Sequence, residues 1–160
     1  MIQSNSKALQ AFDHRAPDAR TIDLPRNAIV RAVTASLGHT TVELYVGRTP
    51  VGDDVGFLHG AGGGVTGCDG QPGPPSLVPC GGSASGAEWT YYGRVSRPDI
   101  ATVELRTAAG RVFPGAVRNG WYLILANGDG ANGPDSTFIA RNAAGDEVAR
   151  IDATGLHVTR

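Results

Sequence analysis

The chain has 160 residues, 41% of them hydrophobic and 18% charged, which suits one folded domain with a real core and excludes a disordered chain. A formal net charge of −1 excludes the global field that draws a protein to nucleic acid or to an anionic membrane. The 23 glycines and 10 prolines follow no collagen period, so they mark turns and loops.

Residues 1–26 read as an N-terminal tail. Ser6 to Arg15 has the spacing for about two helical turns, with Leu9 and Phe12 on one face, before Pro17 ends the segment. A helix that short is marginal alone, so a helical or disordered tail is expected. The first twenty residues lack the apolar region of a signal peptide. Nowhere does an apolar run approach the roughly 18 residues of a membrane-spanning helix.

From Asn27 onward the period is two. Strands are expected at Ala28–Ala35 and at Thr41–Val46, where Val42, Leu44 and Val46 share one face. Between about Val51 and Glu88 the alternation lapses, apart from a short run at Val55–His59. It resumes at Trp89–Val95, Thr102–Arg106, Val112–Val117, Trp121–Leu125, Thr137–Arg141, Glu147–Ile151 and Leu156–Thr159. Asn119-Gly120 suits a tight turn, because both residues tolerate positive φ. Ala108-Ala109-Gly110, Ala143-Ala144-Gly145 and Ala153-Thr154-Gly155 are further hairpin loops. Short strands with turn signals every 8–12 residues and no alternating helices predict an all-β antiparallel β-sandwich, Ig-like or related. It would form a single domain over residues 27–160.

The segment from 51 to 88 is expected to be a long Gly/Pro-rich loop. It contains Gly62-Gly63-Gly64-Val65-Thr66-Gly67, which fits the G-x-G-x-x-G spacing of a dinucleotide loop. That loop works only where a helix follows and turns its N-terminus to the pyrophosphate. Here Pro72, Pro74 and Pro75 forbid the helix. Cys68 and Cys80, the only cysteines, stand too far apart for C-x-x-C redox chemistry. Zinc would want further ligands at paired spacing, and His59 is the one candidate nearby. The simplest account is a disulfide between Cys68 and Cys80 that staples the loop, worth about 3 kcal/mol in the chain-entropy argument. A disulfide implies an oxidising, extracytoplasmic compartment; two free thiols in a cytosolic protein are the alternative.

No local motif supports catalysis. The four histidines are not in metal-binding spacing, and Gly82-Ser83-Ala84-Ser85-Gly86 fails the G-x-S-x-G pattern, so its serines read as loop. Asn127 to Asp135 is an acidic loop in which Asp129, Asn132 and Asp135 are candidate calcium ligands. It departs from the EF-hand template at Ala131 and lacks flanking helices, so a solvated turn with no cofactor is the competing reading. Alternation puts Trp89 and Tyr91 on one face with Tyr92 opposite, and Trp121 opposite Tyr122. At least one tryptophan is expected in the core. Tyr92 and Tyr122 are candidate ligand-binding aromatics, if both lie on one exposed face.

Tyr92-Gly93-Arg94-Val95, Asp99 to Leu105, Ala109-Gly110-Arg111, Gly115 to Leu123 and Phe138 to Gly145 together resemble a recurrent C-terminal pattern of poorly characterised extracytoplasmic proteins of actinobacteria. The resemblance covers about two thirds of the chain and rests on strand and turn chemistry. It implies an Ig-like or related sandwich outside the cytoplasm, and it carries over no catalytic residue. Those proteins bring a signal or membrane segment that this chain does not show, as a trimmed chain would not. The expectation is a non-enzymatic extracytoplasmic binding, sensor or accessory domain that recognises a protein or cell-envelope ligand. The alternatives are a structural or assembly protein of a virion or surface layer, and a carbohydrate-binding module or small hydrolase.

Overall fold

The computed structural model describes residues 29–48, 54–60, 65–68, 77–85, 88–128 and 135–152. Their regular structure is entirely strand: β1 Val30–Leu37, β2 Thr40–Arg48, β3 Asp54–His59, β4 Val65–Cys68, β5 Leu77–Ser85, β6 Glu88–Val95, β7 Ile100–Arg106, β8 Val112–Arg118, β9 Trp121–Asn127, β10 Thr137–Asn142 and β11 Glu147–Asp152. The tail of residues 1–26 and the run Leu156–Thr159 lie outside the described residues. Two antiparallel sheets form, in the orders β1-β2-β3-β4 and β11-β10-β7-β8-β9-β6-β5. The all-β sandwich expected from the alternation is what the chain adopts.

The turns follow the chemistry of their residues. Asn119 (φ 54°) and Gly120 (φ 78°) make the two-residue β8–β9 turn, and both positive φ values fit its Asn-Gly sequence. The β7–β8 and β10–β11 loops repeat one geometry. In each, the glycine N–H bonds to the carbonyl three residues back, Gly110 to Thr107 and Gly145 to Asn142. Both glycines hold positive φ, as the type I turn with a glycine bulge requires.

The seven-stranded sheet curls until its edge strands β5 and β11 approach one another. Part of the curl is made at β8, which pairs with β7 through Val112–Gly115 and with β9 through Ala116–Arg118. The handover falls at Pro114-Gly115. Proline removes a ladder donor there, and glycine leaves room for neighbours that a side chain would strike. A Cβ on Gly115 would meet Ile124 Cγ1 at 2.4 Å and the Val103 carbonyl at 2.8 Å. The order β6-β9-β8-β7 is a Greek key, so the β6–β7 connection crosses one end of the curl.

The curl and the second sheet create two cores. Tyr91, Tyr122, Ile124, Phe138, Leu105 and Leu77 pack inside the curl. Val33, Val42, Leu44, Tyr92, Trp121 and Leu123 pack between the outer face of the curl and the four-stranded sheet. Strand β9 belongs to both. Its residues from Trp121 to Ala126 are all buried, alternately toward one core and the other, so it reads as a continuous apolar run. Asn119 fastens the β8–β9 turn to the second sheet, its Nδ2 donating to the Ala32 carbonyl at 3.2 Å.

The loop expected over 51–88 is corrected. It contains β3, anticipated at Val55–His59, and also β4 and β5, which the Gly/Pro composition concealed. Strand β5 tolerates Pro79 because it lies at a sheet edge, where one side needs no ladder donor. A register shift between Pro79 and Gly81 relieves the pairing with β6. Ser83 and Ser85, read as loop serines, stand in this strand opposite Thr90 and Glu88.

Tight glycine sockets generate a test of this packing. A Cβ at Gly93 would fall 2.2 Å from the Val78 carbonyl and 2.5 Å from the Tyr122 ring. Gly93→Ala is therefore expected to destabilise the protein by about 3 kcal/mol, the upper part of the overpacking range. Gly38→Ala is the comparison, since nothing lies within 4 Å of its Cβ and only its positive φ is strained. Urea midpoints of the two variants check the ranking.

Candidate functional site

The four-stranded sheet covers the β5, β6, β8 and β9 part of the curl, while the outward face of β7, β10 and β11 carries charge. Pairing sets its side chains in three rows across the strands: Arg106, Thr137 and Asp152; Glu104, Ile139 and Arg150; Thr102, Arg141 and Glu147. The alternate residues Leu105, Phe138 and Ile151, with Val103, Ala140 and Ala149, face the inner core. Period two, with the register shift between Ala140 and Arg141 that brings Glu147 to the face of Arg150, places every charge of these strands on one side. Ile139, at the centre of the grid, is fully buried.

Hydrogen bonds order the grid. Glu104 Oε1 accepts from Arg106 Nη2 and from Arg141 Nη2, each at 3.2 Å. Arg141 Nη1 also donates to the Gly145 carbonyl at 3.1 Å, which fixes the guanidinium over the β10–β11 turn. Arg150 grips Glu147 with two bonds, of 2.7 and 2.8 Å. The Arg150 hydrogen bond, helped by the fields of Arg150, Arg141 and Arg106, holds the Glu147 carboxyl below its ordinary range. Exposed pairs of this kind add little stability. Arg97 continues the pattern beside it. It pairs with Asp99, holding that carboxyl low, and its Nη1 donates to the Val148 carbonyl of edge strand β11 at 3.2 Å.

Tyr92 and Tyr122, anticipated as an exposed aromatic platform, are corrected. Tyr92 is 1% exposed and Tyr122 is 0%. The parity of the alternation is right: Tyr91 and Trp89 side with the inner core, Tyr92 and Trp121 with the outer one. Tyr92 and Tyr122 therefore point to opposite faces of one sheet, and both faces are covered. Gly56 of β3 accommodates the Tyr92 ring, and Gly93 of β6 accommodates that of Tyr122. Trp121 is in the core as expected, with the Arg94 guanidinium 5.6 Å from its ring centroid. The only exposed large hydrophobic residue among the described ones is Val112.

Of the candidate calcium ligands, Asp135 is exposed, while Asp129 and Asn132 lie outside the described residues. At the start of that loop Arg111 donates from Nη1 to the Asn127 carbonyl at 2.9 Å and from Nη2 to Asn127 Oδ1 at 3.0 Å. A fixed guanidinium thus holds two oxygens that a cation entering there would compete for. Among the described residues no group of three or more His, Cys, Asp or Glu side chains is placed to hold a metal ion. His39 and His59 do not come together with any candidate site residue in such a group. Nor is any helix among them long and apolar enough to cross a membrane.

Cys80 is half-buried and packs against the outer core, and no free cysteine occurs among the described residues. The side chain of Cys68 lies outside them, although its backbone belongs to β4. Sequence reading had no signal for the grid, because each of its residues alone is an ordinary outward strand position. Only the pairing of β7 with β10, more than thirty residues apart, assembles it.

The chain matches no family model, no curated protein and no solved structure.

Two predictions concern the buried tyrosines. The Tyr122 hydroxyl is buried without a hydrogen-bond partner, so Tyr122→Phe is expected to leave stability unchanged or raise it by about 1–2 kcal/mol, read from urea unfolding. Burial pushes Tyr91 up to about 12, and burial first, then Tyr92, pushes Tyr122 up as well. A phenol whose folded pKa is raised stabilises the fold fully below the unfolded value near 10. Above it the unfolded chain loses protons that the native protein keeps. Stability is therefore expected to fall from pH 10 toward 12, with tyrosinate absorbance from these two rings appearing only as the protein unfolds.

Proposed function

We propose that the protein is a non-enzymatic extracytoplasmic binding domain that recognises a protein partner through the grid on β7, β10 and β11. The observation that carries this reading is the ordered, partly exposed lattice of arginines and carboxylates. Arg106, Arg141 and Arg150 are balanced by Glu104, Glu147 and Asp152, so the grid has no net charge. A uniform polyanion would meet as many carboxylates as guanidiniums there. A protein surface of mixed sign can match both, and such complementarity favours specificity. The burial of every described tyrosine argues against a stacking platform for sugars.

The oxidising compartment is part of the same proposal. It rests on a Cys68–Cys80 disulfide, supported by the absence of a free cysteine among the described residues and by the approach of β4 to β5. Kinship with Ig-like sandwiches is supported by the Greek-key order within the large sheet. A structural or assembly role is the second reading. It is favoured by the sheet edges at β1 and β11, which a neighbouring copy would pair. That role predicts a mass that grows with concentration in light scattering.

Co-sedimentation with actinobacterial cell envelopes tests the binding reading. The protein is expected to sediment with intact envelopes and not with protease-treated ones. The double substitution Arg141→Gln, Arg150→Gln should weaken binding about tenfold or more with the unfolding midpoint little changed. Equal sedimentation of the variant, or undiminished binding to protease-treated envelopes, would overturn it.

A further inference from the structure

The two cysteines occupy places that a loop staple does not require. Within the four-stranded sheet, Thr66 is paired with Gly56, and Gly56 with Val46. Gly56 faces the outer core, since a Cβ added there would strike the Tyr92 ring. Two residues on from Thr66, the backbone of Cys68 ends β4 and pairs with Asp54. On the other side of the core, Cys80 stands in β5 at the register shift between Pro79 and Gly81 and packs with Val78 against the same cluster. Strands β4 and β5 end their respective sheets, approach one another, and are not hydrogen-bonded together. The two cysteines thus stand in edge strands of different sheets that approach one another.

The geometry points to a redox-sensitive clasp: a Cys68–Cys80 bond that joins the two sheets at their β4 and β5 edges, and whose reduction frees the β3–β4 hairpin and uncovers Tyr92. This rests on the disulfide of the functional proposal. An external dithiol supplies the chemistry. The S–S bond takes up two electrons and two protons to give two thiols, and the dithiol is oxidised to its own disulfide. Among the described residues no ladder joins β4 to β5, so the hairpin is the part that opens. The residue it uncovers is one that the closed fold keeps from solvent, Tyr92 beneath Gly56.

A staple and a clasp differ in what they act upon. A staple limits the unfolded chain, so its loss lowers global stability and speeds exchange only at amides that exchange by global unfolding. A clasp restrains the native state, so its loss loosens one place. The full chain would be followed by hydrogen exchange with and without dithiothreitol, after peptide mapping under non-reducing conditions. Mapping is expected to recover a Cys68–Cys80 peptide. On reduction, amides of β3, β4 and β5 should exchange about tenfold faster or more, while β7 and β10 stay protected and a hydrophobic dye gains a binding surface. The Cys68→Ala variant should reproduce the reduced pattern without dithiothreitol. Free thiols in the unreduced map would sink the disulfide itself. A mapped disulfide whose reduction leaves β3–β5 exchange unchanged, or raises exchange evenly throughout, would overturn the clasp alone.

Discussion

The structure depends on burying both faces of β9 and of its neighbour β6. A strand with two covered faces must offer large side chains to two cores at once, and the neighbouring strands must leave space for them. Glycine supplies that space: Gly93 under Tyr122, Gly56 under Tyr92, and Gly115 against Ile124. Each is a position where a methyl group would displace a ring, a branched side chain or a carbonyl. The high glycine content is therefore partly a packing requirement inside strands as well as a supply of turns.

Double burial also decides where chemistry can lie. The aromatic side chains go inward because the two cores need their volume, and the hydroxyl of Tyr122 is left without a partner as a consequence. Of the polar groups left outside the cores, those on β7, β10 and β11 form the largest ordered set that the pairing brings together. There the strand alternation and the antiparallel register sort them into a neutral lattice of guanidiniums and carboxylates. Such a surface is suited to recognition, where mixed charges reward one partner and penalise others.

Strand β5 is where the two layers come nearest to forming one sheet. It closes the β6 side of the curl, approaches β11, and lies beside β4 of the covering layer. Its proline and its register shift suit an edge, and its cysteine stands where the interlayer core reaches that edge. Any separation of the layers is opposed by the outer core along its length. This makes the rim the natural place for a covalent restraint.

Most of the fold was legible in the sequence. Period-two runs marked nine strands, to within a few residues, and the Asn119-Gly120 and Ala-Ala-Gly signals marked the turns between several of them, because these features depend on local sterics alone. Strands β4 and β5 were not legible, since Gly and Pro weaken every local strand signal and only pairing with β3 and β6 overrides it. Parity along β6 and β9 was also readable: Tyr92 opposes Tyr91, and Tyr122 opposes Trp121. What lay beyond reach was which faces are covered. Alternation states that two side chains point in opposite directions, and it is silent on what the chain brings up to meet them. The sequence by itself determined the class of fold, the turns and the sidedness of each strand. Only the tertiary structure decided that both tyrosines are interior and that Arg106, Arg141, Arg150, Glu104 and Glu147 form one surface, because those facts depend on contacts between residues far apart in the chain.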